Sequence, residues 1–218
     1  MRRCNKLKFS GIVPYADYGT IRPPLPAGGQ ACYHRSIMAD DKLIWHEEGR
    51  KEVCRTPVFT VTERESTGPN GQKGRFIVNE APDWVTVIPV VGDSFLMVRQ
   101  WRHGERALSV EFPGGVIDRG EDPETGARRE LKEETGAEAG KLTYLGRMNP
   151  NPALFSNHTH FYCAEDLKLT GEQSLDSDEF VSYMKIPKKE VFAKMGSPEY
   201  PHALMAAALC LYREKFGE

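Results

Sequence analysis

The chain has few cysteines, no long apolar run and almost no net charge, and each absence removes a class of function. Its five cysteines, Cys4, Cys32, Cys54, Cys163 and Cys210, are odd in number and contain no Cys-x-x-Cys spacing. That argues against a disulfide framework or a zinc site and for a reducing compartment, so a cytoplasmic protein is expected. No run of about 18 apolar residues is present to span a membrane. Met1, Arg2 and Arg3 are followed by no apolar stretch, so they do not read as a signal peptide. With 29 Lys and Arg against 31 Asp and Glu, the net charge is −2. No basic field draws nucleic acid, and any phosphate-bearing ligand must be held by local groups.

What is present suits a globular protein with one sizeable core: 218 residues, 39% hydrophobic and 28% charged. Residues 1–40 differ from the rest. Prolines and glycines crowd residues 21–30 without periodicity, which predicts a flexible leader, and Met38 is a plausible alternative start. Residues 41–80 are expected to form a β extension and 81–218 the main domain. Within the extension, 53–64 alternates as a strand, 67–71 turns, and 75–78 returns as a second strand. Residues 84–91 and 95–101, joined at Gly92-Asp93, form an apolar pair expected at the centre of a sheet.

The most organised stretch runs from Gly115 to Ala137. Asp122 is a good N-cap, Pro123 sits where a missing N–H is harmless, and Gly136 is a left-handed stop, so a helix is predicted over 123–135. Ala127, Leu131 and Thr135 share a core-facing stripe, while Glu130, Glu133 and Glu134 converge on another within about one turn. Such crowding repels, and a hard divalent cation, which takes oxygen ligands, would offset it. Glu121 offers a fourth carboxylate. Three glutamates alone would read as a solvated acidic face.

The spaced glycines and arginine change that reading. Gly115, five residues, Glu121, seven residues, Arg129-Glu130-Leu131, one residue, Glu133-Glu134, one residue and Gly136 resemble the Nudix box. A chance match at all the fixed positions has a probability on the order of 10⁻⁸ per starting point. The resemblance implies an α/β fold: a Nudix α/β/α sandwich around a mixed β-sheet, with a small N-terminal antiparallel sheet. It implies Mg²⁺, or Mn²⁺ in its place, held by Glu130, Glu134 and the Gly114 carbonyl. Glu133 becomes a ligand or water-positioning group, and Arg129 pins the box glutamates.

Upstream, Val98-Arg99-Gln100-Trp101-Arg102 and Glu111-Phe112-Pro113-Gly114 look like the ADP-ribose pyrophosphatase branch of that family. The resemblance assigns Arg99, Arg102 and Glu111 to the substrate. The Phe-Pro-Gly-Gly run also matches the end of the coenzyme A pyrophosphatase motif, whose remainder is missing, and the NADH pyrophosphatase signature is absent. Pro152 lies where the branch carries a proline, but Asn157 stands near a position where a glutamate is usual. An acidic loop over 167–179 precedes a strand at 180–186, and the family resemblance makes Glu179 a general base or metal ligand, with Asp178 and Asp176 as alternatives.

Residues 141–148 and 158–164 read as strands around a loop at 149–157. His158 and His160 are read as a strand pair rather than a zinc site. Helices are expected at 188–194 and 201–216, the latter with Leu204, Ala207, Ala208 and Leu211 on one face and Met205 and Cys210 as core fillers. The implied function is metal-dependent hydrolysis of a nucleoside diphosphate sugar by a homodimer, as the resemblance to the related enzymes implies, without nucleic acid or membrane partners. The alternative is a module that binds a nucleotide as a sensor.

Overall fold

The computed structural model describes residues 42–177 and 179–217; the leader at 1–40 and Asp178 lie outside them. Among the described residues nine strands and three helices follow in order: β1 (His46–Arg55), β2 (Thr60–Thr67), β3 (Lys73–Glu80), β4 (Trp84–Val91), β5 (Ser94–Arg102), β6 (Ala107–Glu111), α1 (Pro123–Thr135), β7 (Ala137–Met148), β8 (Thr159–Leu169), β9 (Val181–Pro187), α2 (Lys188–Lys194) and α3 (Ala203–Phe216). β1, β2 and β3 form a small antiparallel sheet. The other six form a mixed sheet in the order β6-β5-β4-β8-β7, with β9 antiparallel along β5 from Ser94 to Gln100.

Alternation along these strands splits the core into two layers. On one face Val85, Val87, Leu96, Tyr162 and Ala164 pack with Ala127 and Leu131 of α1. On the other, Ile88, Phe95, Met97 and Phe161 meet Val191 of α2 and Met205, Ala208, Leu209 and Tyr212 of α3. This is the expected sandwich of helices around a mixed sheet.

One irregularity makes the site. β4 and β5 pair only next to their turn, at Val90–Phe95 and Val91–Ser94, while β4 runs parallel to β8 from Trp84 to Pro89. Where β5 leaves, the chain after β6 takes its place. Val87 N–H donates to Pro113 O and Val85 N–H to Gly115 O, and Ile117 N–H donates to Asp83 O. The start of the box is therefore laid along the central strand.

Several expectations need correction. The predicted strand over 53–64 is broken between β1 and β2, because the Thr56 hydroxyl accepts from the amides of Val58 and Phe59 around Pro57, which cannot donate. The acidic loop starts later than 167, because Leu167, Lys168 and Leu169 continue β8 by pairing with Ala139, Glu138 and Ala137. The closing helix starts at Ala203, with His202 as its N-cap. Its deepest residues are Met205, Ala208, Leu209 and Tyr212, with Leu204, Ala207 and Leu211 alongside, and Cys210 is exposed rather than a core filler.

Candidate active site

Local sequence builds α1 as expected. The Asp122 carboxylate accepts from the amides of Glu124 and Thr125, and Gly136 ends the helix at φ 64°. Two glycines have a second task. A Cβ on Gly115 would lie 2.5 Å from Oε1 of Glu130, and one on Gly136 would lie 2.7 Å from the Glu172 amide nitrogen. Their missing side chains let the glutamate and the acidic loop close onto the helix ends.

The box carboxylates meet around Arg129. Its Nε and Nη2 donate to Glu121 at 3.1 and 3.0 Å, and Nη1 donates to Glu130 at 2.9 Å and Glu133 at 3.0 Å. Nη2 also donates to Val116 O at 2.9 Å. The guanidinium thus holds the loop before the helix and two glutamates of the helix in one frame, and these bonds raise its own pKa.

Glu134 stands outside that frame. It is 3% exposed, and its Oε2 accepts from the Gly114 N–H at 2.8 Å. Burial pushes its carboxyl up to about 8, with the charges of Glu130 and Glu179 adding to the effect. Glu130, also buried, is raised to about 6 by burial, with Glu133 and Glu179 contributing against the pull of Arg129. Glu179 itself is exposed, at the foot of β9, with Oε2 3.3 Å from the Asp176 amide.

The residues suit a hard divalent cation on chemical grounds: two buried carboxylates are poised to lose their protons to a compensating positive charge. Pro113 O and Gly115 O both accept from β4, and between them the Gly114 N–H donates to Glu134. Among the described residues, no group of three or more His, Cys, Asp or Glu side chains is already gathered as a metal cage. The groups that could serve a cation here are the glutamate pair and the adjoining Gly114 main chain.

Beside Gly114 and Gly115 opens a cleft of about 490 Å³, lined among others by Val58, Trp84, Arg102, Glu111, Thr159 and His202. Its size lies in the range of small-molecule sites. Arg102 reaches the cleft already paired: Nε and Nη2 donate to the two oxygens of Glu111 at 2.8 and 2.5 Å. Glu111 is 1% exposed; burial would raise its pKa, but Arg102 outweighs burial and holds it below the ordinary 4.5. Arg99 is exposed on β5 and does not line the cleft, so the structure separates the two arginines.

Other contacts were not visible in the sequence. His202 caps α3 through Nδ1, which accepts from Leu204 N–H at 3.1 Å, and burial keeps its pKa below the ordinary value. Asp83 accepts from the His158 amide at 2.7 Å and lies 3.2 Å from His160 Nε2, giving that histidine a structural partner. The Gln173 amide reaches the end of α1. Each contact joins residues far apart in sequence, apart from the His202 cap, for which an N-cap position before an apolar helix was the available signal.

Comparison with known proteins agrees with this architecture. The NUDIX domain family matches residues 82–206, more than half of the chain. The chain is 34% identical over 143 residues to an ADP-ribose pyrophosphatase of Bacillus subtilis, covering 65% of this chain and 77% of that protein. It is 30% identical over 167 residues to the ADP compounds hydrolase NudE of Escherichia coli, covering 74% and 88%. A crystal structure of an ADP compounds hydrolase superimposes with a TM-score of 0.71 at 27% identity, covering 79% of this chain and 94% of that one. The chain belongs to the Nudix family and is a Nudix hydrolase, with its box on α1 and the loops at either end.

Proposed function

We propose that the protein hydrolyses the diphosphate bond of a nucleoside diphosphate sugar to a nucleoside monophosphate and a sugar phosphate. ADP-ribose is the first substrate we assign, with GDP-mannose or another nucleoside diphosphate sugar next. The observation that carries this reading is the buried Glu130–Glu134 pair beside the Gly114 main chain, at the edge of a cleft large enough for such a ligand. The names of the two curated relatives support the ADP-containing class.

Glu130, Glu134 and the Gly114 carbonyl would hold Mg²⁺, or Mn²⁺ in its place. When bound, the cation supplies Lewis-acid polarisation of the diphosphate and lowers the pKa of a water. Arg129 fixes Glu121, Glu130 and Glu133, so that these three carboxylates need not reorganise during reaction. Glu133 or Glu179 accepts the proton of the attacking water. Arg102, oriented by Glu111, presents its remaining N–H groups to the substrate, with Arg99 a second anion contact from outside the cleft.

We also assign a cytoplasmic homodimer. The small sheet leaves Val53, Phe76 and Ile77 exposed, and Val58, in the loop between β1 and β2, is exposed and lines the cleft, so a second copy covering that sheet and loop would also border the substrate. Solution size measurement should return twice the chain mass; a monomer contradicts the assignment.

Phosphate release tests the activity. ADP-ribose, GDP-mannose, UDP-glucose, NADH, coenzyme A and a diadenosine polyphosphate are each incubated with Mg²⁺ or chelator, followed by a phosphatase that reports terminal phosphates. Mg²⁺-dependent turnover of a diphosphate sugar is expected. Nucleotide binding without turnover of any compound would support a sensor instead.

A further inference from the structure

The last carbonyls of a helix have no partner within it, and water usually satisfies them. In α1 the acidic loop does so. Thr170 donates to Gly136 O through its amide at 2.8 Å and its hydroxyl at 2.6 Å, and the Ser174 amide donates to Glu133 O at 2.9 Å. Between them, Gln173 Nε2 donates to Glu134 O at 2.5 Å. The same nitrogen lies 3.2 Å from Val181 O, the first residue of β9.

A single side-chain amide therefore joins the box helix, at its most buried glutamate, to the strand that follows the loop. Glu179 sits two residues before that strand contact, on a turn closed by its own amide donating to Asp176 O at 3.0 Å. Its charge is felt at both Glu130 and Glu134. Among the described residues, Gln173 is thus a side chain hydrogen-bonded both to the last turn of α1 and to the first residue of β9.

From this geometry we infer that Gln173 is a positioning residue, which fixes Glu179 relative to the Glu130–Glu134 pair by clamping the loop's return to the end of the box helix. The inference rests on the hydrolase reading above and on the role given there to Glu179. A group that must meet a water within hydrogen-bond reach tolerates little displacement, and a misplacement of about 1 Å can reduce rate about 10²-fold. The clamp acts on a carboxylate that touches substrate or water, not on substrate itself, so it should act on kcat rather than KM.

The test is a double-mutant cycle in the full chain with Mg²⁺ and ADP-ribose. Gln173→Ala should lower kcat by about 10- to 100-fold and leave KM within about threefold. Gln173→Glu, equal in shape but directing acceptors at two carbonyl oxygens, should lose at least as much. In a Glu179→Gln background, Gln173→Ala should reduce kcat by less than about twofold, since the positioned group is already disabled. Full kcat in Gln173→Ala, or an equal loss in both backgrounds, overturns the proposal.

Hydrogen exchange of the unliganded chain separates this result from failure of the hydrolase reading. Amides over 170–181 should exchange about tenfold faster in Gln173→Ala, while the first turn of α1 stays unchanged. If the wild type turns over nothing on the panel, the hydrolase reading fails, and the exchange measurement alone decides whether the clamp exists. Unchanged exchange overturns the clamp whatever the activity.

Discussion

Glu111 and Glu134 are both buried acids beside the same cleft, and their surroundings drive them in opposite directions. Glu111 receives two hydrogen bonds from Arg102 and stays ionised, below the ordinary carboxylate range. Glu134 receives one main-chain N–H and no arginine, and burial lifts it to about 8. Burial alone therefore does not mark a functional carboxylate. Burial without a partner of opposite charge is what singles out Glu134 as a candidate for a cation that the fold does not supply.

The largest expected effect follows from removing the unpaired member. Glu134→Gln keeps an acceptor for the Gly114 amide but loses the charge. Metal-dependent turnover should fall by about 10²- to 10³-fold, while the metal-free fold remains intact by circular dichroism. Near-normal turnover would break the comparison.

Next comes the pH dependence of the metal-free protein. Folded Glu134 titrates at about 8 and an ordinary glutamate at 4.5, so the folded state retains the extra proton between these values. Its stabilising effect is complete below 4.5 and is lost as pH rises through 8; Glu130, at about 6, acts in the same direction. Melting temperature in chelator should fall between about pH 5 and pH 9, and Mg²⁺ should restore most at the alkaline end. Glu134→Gln should flatten much of this slope.

Glu111 has the opposite sign. Its lowered pKa contributes stability above 4.5, lost as pH falls through its folded value. Arg102 is 41% exposed and can be rehydrated when its partner is lost, so Glu111→Gln should destabilise by about 1–2 kcal/mol in urea melts at neutral pH. The difference from wild type should shrink in acid. Asp122→Ala, which removes only the N-cap of α1, should lower the melting temperature by less than Glu111→Gln does, with little change in metal binding.

How much of this was legible depended on the range of the interaction. Asp122, Pro123 and Gly136 define α1 through contacts within a few residues, so its limits of Pro123 and Thr135 could be read directly. The stripe of Glu130, Glu133 and Glu134 followed from helical spacing, but its division into arginine-bound and unpaired members needed the fold. Pro57 was a local signal that apolar alternation obscured, so one strand was read where two occur. The loss of β5 from β4, the insertion of Pro113 to Ile117 and the reach of Gln173 are products of tertiary packing, with no periodicity to reveal them. Arg102 and Glu111 were both selected for the substrate, yet their pairing depends on how β5 and β6 are folded together.

Direct titration with Mn²⁺, following the free-ion signal by electron paramagnetic resonance, tests the distinction between the two acids without requiring turnover. Wild type and Glu111→Gln should bind with the same stoichiometry and similar affinity, and Glu134→Gln should bind at least about tenfold more weakly. Full binding by Glu134→Gln, with loss in Glu111→Gln, would contradict the account and move the cation to Glu111.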